Sequence, residues 1–156
     1  IFMYILIRFR KMSYSIGAVA AVFHDVLIVL ALFSILYGRL PFSLEIDQAF
    51  IAAILTVIGY SLNDTVVVFD RVREYFGIKS GSRDDIVNAA LNSTLSRTIN
   101  TSLTTFFVLL IIFLFGGEVI RGFMFALMIG VVVGTYSSLF IATPIMVDTL
   151  KKEHDK

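Results

Sequence analysis

Four long apolar runs separated by short polar connections decide what this chain can become. A helix rises 1.5 Å per residue, so about 20 consecutive apolar residues cross the ~30 Å hydrocarbon core of a bilayer. Runs of that kind lie at 16–37, 48–69, 97–115 and 123–147. Gly38 and Pro41 stop the first, and Gly116-Gly117 stop the third. Composition agrees: 58% of the 156 residues are hydrophobic and 16% charged, against roughly 45–50% and about 25% in an average soluble domain. The expected fold is all-α, a polytopic transmembrane helical bundle.

The remaining segments fit around these spans. Residues 1–7 are apolar but too short to cross a membrane, and they run into Arg8, Arg10 and Lys11. A signal peptide would carry its positive charge first, so 1–11 reads as the severed end of a transmembrane helix and its cytoplasmic basic turn. Residues 12–150 form the four-span domain, and 151–156 a charged cytoplasmic tail. Ser82 with Asp85 resembles a capping box and opens a helix bearing Val87, Ala90, Leu91 and Leu95, which continues into the third span.

Positive charge orients the bundle. Arg8, Arg10, Lys11, Arg71, Arg73, Lys79, Arg83, Lys151, Lys152 and Lys156 fall on one side, and only Arg39 and Arg121 on the other. The richer side is expected to be cytoplasmic, with the C-terminus there. A net charge of +1 gives no basic excess for nucleic acid. With no Cys and only His24 and His154, there is no basis for a disulfide framework, a thiolate nucleophile or a zinc site, and no cofactor is expected. No Gly-Lys-Ser/Thr phosphate loop is present, which removes an ATPase at the level of motif.

An ionisable side chain inside a span costs roughly 2.5–3.5 kcal/mol on insertion, so each needs a partner or a purpose. Asp25, Asp64 and Arg97 qualify. At 100° per residue Asp64 shares a face with Tyr60 and Ser61, and Asn63 precedes it; Arg97 gathers Ser93, Asn100, Thr101 and Thr104. Both ionisable groups lie in the cytoplasmic half of their spans, close enough in depth for an arginine side chain to bridge. If they pair and part in turn, the carboxylate can take up a proton on one side and release it on the other. The alternative is interhelical hydrogen-bond glue, which suits the Ser/Thr/Asn stripe after Arg97 better than it suits Asp64. His24-Asp25 either tunes the pair or lies at a helix interface. Gly130, Gly134 and Ser138, spaced by four, make a small-residue face for close helix packing.

The string Gly59-Tyr60-Ser61-Leu62-Asn63-Asp64-Thr65-Val66-Val67-Val68-Phe69-Asp70-Arg71-Val72-Arg73-Glu74 resembles the signature of the SecF protein-export membrane proteins, including the SecF half of fused SecDF. Leu95-Ser96-Arg97-Thr98-Ile99-Asn100-Thr101-Ser102 and the segment from Gly130 to Ser138 resemble the family's next two helices, and His24-Asp25 the preceding one. The resemblance implies an RND/SecF-type membrane domain fragment of the proton-driven resistance-nodulation-division superfamily. It implies an auxiliary subunit of the Sec translocase, in the bacterial or archaeal cytoplasmic membrane, that uses the proton gradient to promote preprotein translocation beside SecD and the SecYEG channel. In that family the residues matching Asp64 and Arg97 are assigned to proton transport. The family's earlier helix and external domain, through which it touches preprotein, are not in this stretch of sequence.

Four other classes compete. An intramembrane aspartyl protease would pair Asp25 with Asp64, but its Gly-x-Gly-Asp core is replaced here by Ser61-Leu62-Asn63-Asp64. Gly59-Tyr60-Ser61-Leu62-Asn63 misses the hydrolase elbow at its last position. A proton-coupled exporter of small molecules or lipids and a purely structural translocon scaffold remain as alternatives.

Overall fold

The computed structural model describes residues 1–154; Asp155 and Lys156, the end of the charged tail, lie outside them. The described chain is all-α and contains no strand: α1 (Phe2–Phe9), α2 (Met12–Leu36), α3 (Gln48–Ile78), α4 (Arg83–Phe115), α5 (Glu118–Ser137), a π-helical turn (Ser138–Ala142) and α6 (Thr143–His154). Four stretches are long and apolar enough to cross a membrane: Met12–Leu36, Gln48–Ile78, Arg83–Phe115 and Glu118–Lys152. The last unites α5, the π turn and most of α6.

Local chemistry sets the helix ends. Arg10 takes the left-handed conformation at φ 57°, ending α1 and turning the chain into α2. Asp47 caps α3 by accepting from the Phe50 N–H at 2.9 Å. Ser82 caps α4: its Oγ accepts from the Asp85 N–H at 3.2 Å and donates to the Asp85 carboxylate at 2.5 Å. The short acid thus bonds the capping hydroxyl, where a longer Glu would reach back to the backbone. α4 therefore starts at Arg83, and its amphipathic lead-in and its span form one continuous helix.

The π turn interrupts a fourth span that periodicity presents as regular, and Pro144 explains it. Proline has no N–H to offer the carbonyl four residues back, and its ring crowds that carbonyl, so the turn before it widens. Thr143, just before the proline, donates its hydroxyl to the Ser138 carbonyl across the widened turn at 3.0 Å. The widened turn presses on α2, where a Cβ added at Gly17 would stand 2.5 Å from the Ala142 carbonyl oxygen.

Two apolar clusters lie at opposite ends of the bundle. One is built from Ile5, Phe9, Tyr14, Val68, Phe69, Val72, Met146 and Leu150, among others. The other includes Val29, Phe33, Phe50, Val57, Ala126 and Leu127. Between them in sequence, on each contributing helix, come the buried polar residues Asp25, Ser61, Asp64, Thr65, Ser137 and Ser138. A polar layer is thus held between two apolar ones. Small residues on α5 let α3 close over it: a Cβ at Gly130 would run into the Val57 side chain, and one at Gly134 would lie 3.1 Å from the Ser61 Cβ.

Gly130→Val should therefore overpack the α3–α5 contact and destabilise the full-length protein by about 1–3 kcal/mol. Gly59→Ala, where nothing lies within 4 Å of the added Cβ, should not. Thermal unfolding in detergent reads both.

Candidate functional site

Asp25 is the centre of the polar layer. Its side chain is 0% exposed. Ser61 of α3 donates to its Oδ2 at 2.5 Å, and Ser137 of α5 donates to the same oxygen at 2.8 Å. On the other oxygen, His24 Nδ1 lies 3.2 Å from Oδ1. One carboxylate from α2 thereby ties down α3 and α5 together. The His24 ring is partly exposed and lies beside Tyr136, with 6.4 Å between ring centroids.

A second set of hydroxyls continues the layer. Ser138 donates to the Gly134 carbonyl at 2.8 Å, and its oxygen lies 2.9 Å from Thr65 Oγ1. It also approaches the Ser61 carbonyl at 3.3 Å. A hydroxyl has one proton, so Thr65 is the donor to Ser138 once Ser138 has bonded its own helix. Further along, the Tyr60 hydroxyl donates to Ser102 Oγ at 3.2 Å, and Ser102 meets Thr135 at 2.5 Å, linking α3, α4 and α5.

Asp64 sits three residues beyond Ser61 on the same buried face of α3 and is 5% exposed. Its Oδ2 is fully buried with no hydrogen-bond partner among the described residues. None of the ion pairs within 4.0 Å among those residues involves it. The contact with Arg97 expected from the sequence is thus not formed in this arrangement. The reason lies in the rotation of α4. Its buried row is Thr94, Thr98 and Ser102, and Arg97 is roughly 100° around the helix from that row. Arg97 instead lines a cleft of ≈300 Å³ between α3 and α4, together with Asp70, Glu74 and Ser93.

The other candidates fall into two groups. Tyr60, Ser61, Gly130, Gly134 and Ser138 join Asp25 and Asp64 at the packed interfaces between helices. Asn63, Asn100, Thr101 and Thr104 are exposed. Thr101 and Thr104 spend their hydroxyls on the carbonyls of Arg97 and Asn100 in their own helix, at 2.9 and 3.0 Å. Asp25 and Asp64 share no hydrogen bond, so the described contacts contain no carboxylate dyad. Sequence reasoning missed Thr65, Ser102 and Ser137. Polar residues occupy two neighbouring rows of α4, and periodicity alone cannot say which row turns inward.

The geometry has known counterparts. A family model described as "Protein export membrane protein SecD/SecF, C-terminal" matches residues 1–152. The protein translocase subunit SecF of Rhodothermus marinus is 63% identical over 149 residues, covering 95% of this chain and 48% of the relative. That of Thermodesulfovibrio yellowstonii is 50% identical over 149 residues, covering 94% and 47%. The chain thus spans about half the length of these relatives. Among solved structures, SecDF in a super-membrane-facing form superposes with a TM-score of 0.89 at 37% identity, over 99% of this chain and 20% of that one. SecDF from Thermus thermophilus, described as a translocon-associated membrane protein, gives 0.83 at 39% identity, over 96% and 20%.

Ser61→Ala and Ser137→Ala should each destabilise by about 0.6–1.7 kcal/mol, the range for hydrogen bonds between membrane helices. Because both serines serve the same carboxylate oxygen, the double substitution leaves it bare and should cost more than the sum. Equilibrium unfolding in mixed micelles gives the coupling.

Proposed function

Since this chain belongs to the SecD/SecF C-terminal family of protein-export membrane proteins, we propose that it is the proton-handling membrane part of a SecF translocase subunit. In this reading the proton gradient drives rearrangements that promote preprotein translocation across the cytoplasmic membrane, with SecD and the SecYEG channel as partners. The named relatives support the subunit assignment. The positive-charge asymmetry supports a cytoplasmic C-terminus.

The observation that carries the proposal is Asp64, a carboxyl group buried in a membrane-spanning helix without a hydrogen-bond partner for Oδ2 among the described residues. Hydrogen-bond glue would show donors around it, as Asp25 does. A group left without fixed donors is free to change its protonation without breaking the packing of its neighbours. Arg97 acts as the mobile counter-charge. It reaches Asp64 when α3 and α4 shift relative to each other, and it rests in the adjoining cleft otherwise. One unit charge moving through ~100 mV supplies about 2.3 kcal/mol, enough to bias two helix arrangements a few kcal/mol apart.

The outer face of α4 supports SecD as a partner. Arg97, Asn100, Thr101 and Thr104 are exposed on a helix that must cross hydrocarbon. Lipid tails are a costly neighbour for a guanidinium, and polar groups from a second membrane domain are a suitable one. Asp25, with its serines, serves as the fixed frame against which α3 carries Asp64.

Asp64→Asn in the full-length protein should abolish the gradient-stimulated part of preprotein export while co-purification with SecD stays at the level of the unsubstituted protein. Arg97→Gln should also abolish the gradient-stimulated part of export. Export that responds to the gradient as before in Asp64→Asn would leave only a scaffold role.

A further inference from the structure

The cations at the basic end of the bundle differ in their surroundings. Arg8 pairs with Asp70 at 2.9 Å, Arg71 with Glu74 at 2.7 Å, and Lys151 approaches Asp84 at 3.4 Å. Lys79 lies over the Tyr75 ring, 4.7 Å from its centroid. Lys11, Arg73 and Arg83 have no carboxylate within 4.0 Å among residues 1–152, whose side chains are described, and all three converge on one hollow of ≈280 Å³. They come from three different elements: Lys11 precedes α2, Arg73 lies near the end of α3, and Arg83 opens α4. Three like charges facing one space repel each other unless something negative sits among them.

The rest of the hollow is lined by aromatic and aliphatic side chains. Phe9, Tyr14, Phe76 and Leu150 line it. The Tyr14 ring stacks on Phe9 with 4.9 Å between centroids and meets Phe69 edge-on at 5.2 Å. The hollow lies where the apolar spans give way to charged ends, which is the depth of lipid headgroups. A polar rim of three cations over an apolar floor matches an amphiphile with a phosphate at one end and hydrocarbon at the other.

We propose that Lys11, Arg73 and Arg83 bind the phosphate group of an anionic membrane lipid, whose glycerol and upper acyl carbons rest on Phe9, Phe76 and Leu150. The inference rests on the membrane placement of the chain and is independent of Asp64. It assigns the lipid to the leaflet that faces the basic side, where anionic headgroups attract such clusters. Its consequence is structural: one lipid would tie the start of α2 to the ends of α3 and α4 that flank the Arg97 cleft.

The test uses the full-length protein in mixed micelles, with bound lipid read by native mass spectrometry. Phosphatidylglycerol should bind at least tenfold more tightly than phosphatidylcholine. Lys11→Gln, Arg73→Gln and Arg83→Gln should each weaken it about fivefold, from the ~1 kcal/mol that a cation contributes at an anionic surface. Lys79→Gln should leave it unchanged. Raising NaCl should weaken phosphatidylglycerol binding to the unsubstituted protein, a readout that needs no variant. Binding that ignores both salt and the triple substitution overturns the proposal. So does inorganic phosphate binding as tightly as the lipid, which would make the site one for a free anion. Displacement of the lipid by polyglutamate at equal charge also overturns it, in favour of an acidic protein segment.

Discussion

A carboxyl group at bilayer depth must find its donors within the protein, and that requirement organises this bundle. Asp25 meets it with three contacts from three places: its own helix neighbour His24, Ser61 on α3 and Ser137 on α5. These bonds have direction where the surrounding apolar contacts have none. Without a hydrophobic drive between helices in lipid, directional bonds and close packing must set their register. The glycines of α5 answer the second need. Gly130 accepts Val57 and Gly134 accepts Ser61, which brings the α3 backbone near enough for Ser138 to approach the Ser61 carbonyl.

The π turn belongs to the same design. Ser137 and Ser138 are consecutive, yet one bonds α2 and the other meets α3. Six residues past Ser138, Pro144 forces the turn before it to widen, which rotates α6 relative to the continuation of a regular helix. Leu139, Ala142, Met146 and Leu150 then turn into the apolar cluster shared with α1, α2 and α3. A polar row gives way to an apolar row within two turns, and the proline marks the changeover.

The sequence carried the class of fold clearly, because span length and polar interruptions are read directly from residues and the bilayer leaves few alternatives. It also marked Asp25, Asp64 and Arg97 as costly. What it could not supply was rotation. On α4, Thr94, Thr98 and Ser102 form one row and Arg97, Thr101 and Thr104 the next, with similar polarity, so the choice of buried row depends on which helices pack there. For α3 the choice was legible, since Val57, Ser61, Asp64 and Val68 face inward together between flanks of exposed residues. Pro144 was visible throughout, and its effect on the fourth span was a missed signal rather than a missing one.

The two buried acids then divide by the number of donors around them. Asp25 holds α3 and α5 through two bonds to one oxygen, so its side chain is a structural pin. Asp64 stands one turn away on the same face of α3, with no hydrogen-bond partner for Oδ2 among the described residues. On α3, then, one turn is tied to α2 through Ser61 and the next carries a carboxyl oxygen with no partner among the described residues. α4 joins this frame by separate bonds, those of Ser102 to Tyr60 and Thr135, so the contacts of Asp25 to α3 and α5 are made without it.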